Sequence, residues 1–167
     1  DSRINVITEG KADISIRGIT ITEERKQKVL FSKSYYSDGL GIMTNKTSNI
    51  KSIDDLNGKK VYAHDYSTAF SWISENLSNS ILTTYQGGEY VEPEILLEQG
   101  EIDAFIIDYS YLVQSVKSHP TLNIIQAELT TEELGIAISK NRKDLLKKIN
   151  KALKELQKEG VLDDLKV

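Results

Sequence analysis

Cysteine is absent from the 167 residues. That excludes a disulfide framework, a thiolate zinc site and a cysteine nucleophile, and it leaves the compartment open, because secreted domains need not be bridged. Only two histidines occur, His64 and His119, too few for a histidine-rich metal site; no metal and no cofactor is expected. Two prolines and ten glycines exclude collagen-like and low-complexity classes, and 39% hydrophobic with 28% charged residues excludes a disordered chain. Positive charge is not in surplus: 21 Lys and Arg stand against 25 Asp and Glu, a net charge of −4. This balance argues against nucleic acid or an anionic membrane as the main partner. Apolar stretches stop after a handful of residues, far short of the roughly 20 that span a bilayer. No leader segment is present, and a chain that starts at Asp1 rather than Met is expected to be a processed or trimmed form.

What is there is an alternation of short apolar runs with helical patterns, which reads as α/β. The runs are Ala12–Ile16, Leu40–Met43, Lys60–Ala63, Ile81–Thr84, Ala104–Ile107, Leu122–Ile125 and Gly135–Ile138. Amphipathic stretches lie near 68–77, 91–99 and 109–117. The clearest helix is 141–158, whose Leu145, Ile149, Ala152, Leu153 and Leu156 form one apolar stripe opposite a lysine-rich face. That basic face is read as a solvated surface, with Gly160 stopping the helix. The chain is long enough for two small lobes. An internal likeness supports them: Glu9-Gly10-Lys11-Ala12-Asp13-Ile14-Ser15-Ile16 returns ninety residues later as Gln99-Gly100-Glu101-Ile102-Asp103-Ala104-Phe105-Ile106. Ligands of parallel α/β sheets bind outside the carboxyl ends of the strands. The segments that follow the two matching strands, Arg17–Thr22 and Asp108–Tyr111, are therefore expected to face one cleft.

Three features there carry chemistry. Thr22 is a good N-cap followed by Glu23 and Glu24, yet Arg25 stands where a capping box wants an acid. A cation at a helix start opposes the helix dipole unless an anion sits beside it. Arg25 is either an exposed partner of Glu23 or Glu24, or a bidentate carboxylate clamp. Next, the strand Lys60–Ala63 and His64 lead into Asp65-Tyr66-Ser67-Thr68-Ala69-Phe70, a turn opening onto a helix. Its Ser67 and Thr68 either cap the helix or add donors for an anion. Third, Asp108 follows the apolar strand Ala104–Ile107, placed to accept from an ammonium group or to cap the next helix. A carboxylate clamp, an anion-binding helix start and an acid make a receptor for a zwitterion, the backbone end of a free α-amino acid.

These residues lie in strings that resemble a family. Gly18-Ile19-Thr20-Ile21-Thr22-Glu23-Glu24-Arg25, then Val29-Leu30-Phe31-Ser32-Lys33-Ser34-Tyr35-Tyr36, is similar to the signature of family 3 extracellular solute-binding proteins, the polar amino-acid receptors of ABC importers. The glutamine-binding type looks nearest. The segments Ile50–Val61, Ser67-Thr68-Ala69, Gly100–Asp108 and Gly135–Ile138 match as well, and the likeness runs to Leu165. The resemblance implies a type II periplasmic-binding-protein fold: two α/β lobes with a cleft, about 1–43 plus 132–167 and about 44–131, closing on ligand like a flytrap. It implies that the positions of Gly18, Thr20 and Arg25 hold the ligand carboxylate, helped by Ser67 and Thr68, while Asp108 takes the ammonium. It further implies a periplasmic or extracellular, in full length lipid-anchored, protein that delivers a glutamine-like amino acid to a membrane permease and catalyses nothing.

The chain departs from the family at three places. It starts deep in the first lobe, so that lobe is expected to be truncated at its N-terminus, to bind weakly and to self-associate or lose order. Tyr66 stands where many relatives have Gly, and the usual Trp-Phe ending is missing. Among the aromatics, Phe31, Tyr35, Tyr36, Phe70 and Trp72 are read as packing, His64 as a neighbour of the cleft and His119 as exposed. Two other functions share the fold: a receptor's sensor module, and a cyclohexadienyl dehydratase, whose general acid would be Glu89, Glu92 or Asp108.

Overall fold

The structure is a computed structural model that describes residues 1–164, so the end of the family likeness at Leu165 lies outside the described residues. The order is α1 (Ser2–Thr8), β1 (Ile14–Thr20), α2 (Glu23–Lys26), β2 (Leu30–Phe31), β3 (Tyr36–Asp38) and β4 (Leu40–Asn45). A 3-10 turn (Ile53–Leu56) precedes β5 (Lys60–Tyr62), α3 (Thr68–Asn76), β6 (Ile81–Thr83), α4 (Pro93–Gln99) and β7 (Ala104–Asp108). The chain then runs through α5 (Tyr109–Ser118), β8 (Leu122–Gln126), β9 (Glu132–Ile138) and α6 (Lys143–Lys158). Two compact units result, Asp1–Ser37 with Glu132–Val167, and Asp38–Thr131.

In the first unit β9 is the central strand, flanked antiparallel by β1 and β2, with β3 also paired to β9. In the core beneath, Ile4 and Ile7 of α1 pack with Ile19, Val29 and Ala137. The apolar run Ala12–Ile16 is not buried as a run. Ser15 is buried while Ile14 and Ile16 are 40% and 55% exposed. The cause is topological: β1 is an edge strand of this sheet, and its buried positions are Ser15, Ile19 and Thr20. Between Ser15 and Ile19 the register slips, and Gly18 there takes φ +54, a left-handed conformation that glycine adopts without steric cost. The apolar stripe of α6 is only half-buried, and Ala152 on it is exposed.

The second unit is a five-stranded sheet in the order β6-β5-β7-β4-β8. β5 runs parallel to both β6 and β7, whereas β4 is antiparallel to β7 and β8. On one face Ala69 and Ile73 of α3 pack with Leu40, Ile42, Val61, Ala104 and Ile106; on the other Leu97 of α4 and Leu112 of α5 pack with Met43, Tyr62, Phe105 and Leu122. Burial on both faces explains why β4 and β7 read as continuous apolar runs. It also moves a boundary: Leu40–Met43, assigned from sequence to the first lobe, belong to β4 and pair with β7 in this sheet.

The internal likeness is a repeat of local structure. At the end of α1, Gly10 N–H donates to the Ile7 carbonyl while Lys11 and Ala12 both donate to Val6. At the end of α4, Gly100 donates to Leu97 while Glu101 and Ile102 both donate to Leu96. The two glycines have φ +70 and +73. Each closes its helix by the same left-handed cap and feeds the next strand.

Candidate functional site

The sequence-predicted residues fall into two groups, one on each unit. In the first, Thr22 caps α2 as expected, its hydroxyl accepting from the Arg25 N–H at 3.2 Å. The four-residue α2 then turns the Arg25 side chain inward, where it is 8% exposed. Its Nη1 donates to the Thr20 carbonyl at 2.9 Å and its Nη2 to Asp1 Oδ2 at 3.1 Å. Arg25 is buried rather than exposed, and Glu23 and Glu24 hold Lys26 and Lys28 at 2.6 and 2.7 Å. Arg25 is thus a buried cation presented to a carboxylate, the charge arrangement a carboxylate clamp requires.

Its surroundings were not visible from the motif. Asp1 caps α1 through the Arg3 N–H and also takes Arg3 Nε at 3.0 Å, while Arg3 Nη1 donates to the Gly18 carbonyl at 3.1 Å. The buried Thr20 hydroxyl donates to Glu132 Oε2 at 2.6 Å. Gly18, Thr20 and Arg25 therefore share one network with Arg3 and two carboxylates. Neither Asp1 nor Glu132 carries a local sequence signal, since one is a helix cap and the other opens a strand 112 residues from its partner.

On the second unit the parallel strands set the geometry. β5 and β7 end at the same edge of the sheet, so the Ser67 turn and Asp108 emerge together there. Ser67 caps α3: its Oγ accepts from the Phe70 N–H at 3.1 Å and donates to the His64 carbonyl at 2.6 Å. Thr68 is the first helical residue, so the turn presents the amide end of a nine-residue helix, where anions are favoured. Asp108 occupies the N-cap position of α5 without making a side-chain cap bond. His64 packs edge-to-face on Tyr62 and Phe105, with centroids 5.6 Å away in each case. Tyr66 is 74% exposed and has φ +61, the conformation for which glycine is the natural choice. Phe70 and Trp72 pack against the core beside α3, and Phe31 against that of the first unit. His119 is half-buried rather than exposed, and its Nδ1 lies 3.4 Å from Glu98 Oε1.

Among the described residues no three His, Asp or Glu side chains converge as metal ligands, and no helix is long and apolar enough to cross a membrane. In sequence, the chain is 32% identical over 168 residues to the L-cystine-binding protein of Escherichia coli K12, covering 99% of this chain and 62% of that protein. It is 32% identical over 165 residues to the ABC transporter glutamine-binding protein of Bacillus subtilis, covering 98% and 60%. The chain thus spans about three fifths of the length of these relatives. In structure, it superposes on an ancestral arginine-binding protein bound to arginine with a TM-score of 0.87 at 35% identity, covering 98% of this chain and 74% of the other. All of residues 1–167 match the family described as bacterial extracellular solute-binding proteins, family 3, and the chain belongs to that family.

Proposed function

We propose that this chain binds a free polar α-amino acid as the substrate-binding part of an ABC importer. The ligand carboxylate goes to Arg25, with Gly18 and Thr20 beside it and the Ser67–Thr68 helix start assisting, and the ligand ammonium goes to Asp108. The observation that carries the reading is Arg25: a guanidinium only 8% exposed, steered by the Thr20 carbonyl and already engaging a carboxylate. The relatives support the ligand class, since their names record cystine, glutamine and arginine, and all three are polar amino acids. We infer that no reaction is catalysed, that the protein works outside the cytoplasm, lipid-anchored in full length, and that a membrane permease receives the ligand.

A thermal-shift screen of the twenty amino acids, followed by calorimetry on the best, tests this. Arg25→Ala and Asp108→Asn should each abolish binding, because each leaves one charge of a partly buried zwitterion without its counterpart, at a cost of about 2–5 kcal/mol. Either variant binding within threefold of the parent chain removes that residue from the site. Twenty amino acids that leave Tm unmoved remove the reading itself.

A further inference from the structure

Asp108 stands at the N-cap position of α5, yet it makes no side-chain cap bond there. An aspartate in that position ordinarily accepts from the N–H of the second or third helical residue. In α5 the first donors are met from the segment that enters β4 instead. The Tyr109 N–H donates to the Gly39 carbonyl at 2.7 Å. The Ser110 N–H donates to Asp38 Oδ1 at 3.3 Å, and the Ser110 hydroxyl donates to Asp38 Oδ2 at 2.5 Å. Asp38, 72 residues away in sequence, thus serves α5 as a cap.

The position of Asp38 is fixed closely. Leu40, two residues on, is paired with Asp108 in the register of β4 on β7. The Gly39 N–H donates to Asp38 Oδ1 at 2.8 Å and so holds the carboxylate against its own backbone. Gly39 leaves no room for a side chain, since a Cβ there would lie 2.3 Å from the Thr130 carbonyl oxygen. The Leu40 N–H donates to Thr130 Oγ1 at 3.1 Å. The backbone that carries Asp38 is therefore held by the segment around Thr130 as well as by β7 and α5. A carboxylate is also the charge that a helix start favours, and Asp38 supplies it.

We propose that Asp38 is a positioning residue for binding: by capping α5 it keeps the Asp108 carboxylate off the helix amides and available to the ligand ammonium. The proposal rests on the amino-acid reading above and adds the residue that holds its acid in place. Once Asp38 is removed, the Ser110 N–H loses its acceptor, and Asp108 at the N-cap position takes it in the ordinary way. The ligand ammonium must then compete with the helix for that carboxylate.

Asp38→Ala and Asp38→Asn in the whole chain test it. The Asp108 carboxyl carbon resonance, identified by its loss in Asp108→Asn, should move in ligand-free Asp38→Ala. It should stay in place in Asp38→Asn, whose amide oxygen still accepts from Ser110. An Asp38 that only stabilises the fold leaves this resonance unmoved in both. In calorimetry with glutamine and with arginine, Asp38→Ala should weaken binding at least tenfold, and Asp38→Asn should stay within threefold of the parent chain. An unmoved resonance overturns the proposal, as does Asp38→Ala binding as tightly as the parent, or Asp38→Asn losing as much as Asp38→Ala. Should Asp38→Ala fail to fold, Asp108→Ala carries the test through hydrogen exchange of the Ser110 amide. Exchange within threefold of the parent supports Asp38 as the cap; exchange ten times faster shows that Asp108 caps α5, and the proposal falls. A moved resonance in a chain that binds neither glutamine nor arginine keeps the hold of Asp38 on Asp108 and counts against the amino-acid reading alone.

Discussion

Tyr66 is held where a side chain is least welcome. Its φ of +61 costs about 1–2 kcal/mol in an L-residue, and at 74% exposure its ring recovers little by burial. Glycine relieves that strain and gives back about 0.5–1 kcal/mol of it through the greater freedom of the unfolded chain. Tyr66→Gly should therefore raise the unfolding free energy by about 0.5–1 kcal/mol, read as a higher midpoint in urea at unchanged slope. A lower midpoint would mean that the phenol contributes more than the backbone strain costs. The strain also shows why the turn was legible: Ser67 capping and Arg25 capping by Thr22 follow from residue type and spacing alone. Asp1, Glu132 and Asp38 did not, because their partners are 24, 112 and 72 residues away and nothing local in a carboxylate says which distant group it meets.

At the level of elements, the helices α3, α5 and α6 were readable because each carries one period over enough residues, and β4 and β7 because burial on both faces leaves them as continuous apolar runs. The two-residue β2 and three-residue β3 are too short to show any period, and they exist only because β9 offers them an edge. β5 supplies a pH-dependent property. Tyr62 on it is 3% exposed, and burial pushes its phenol up to about 12 from the ordinary 10. In this window the folded chain keeps a proton that the unfolded chain gives up. Its contribution is thus fully present below pH 10 and is lost as pH rises towards 12. Unfolding free energies measured between pH 9 and 12 should fall more steeply for the parent chain than for Tyr62→Phe. Parallel curves would show that the ring is not sealed from solvent.

On the scale of the whole molecule, the units differ in how completely they cover their sheets. The second has helices on both faces of five strands. In the first, among the described residues, β1 has β9 as its one paired strand neighbour. Ile14 and Ile16 on β1 are 40% and 55% exposed. A strand edge with apolar side chains beside it is a template for another strand, and a second copy of the chain offers an identical one. Sedimentation equilibrium at rising concentration should therefore show weak self-association. Ile16→Lys, which places a charge on that edge without touching the core, should shift the chain to monomer and leave its unfolding midpoint nearly unchanged. Association that persists undiminished in Ile16→Lys would place the contact elsewhere, and a parent chain that stays monomeric at hundreds of micromolar would show that the edge is guarded by the twist and brevity of β1 alone.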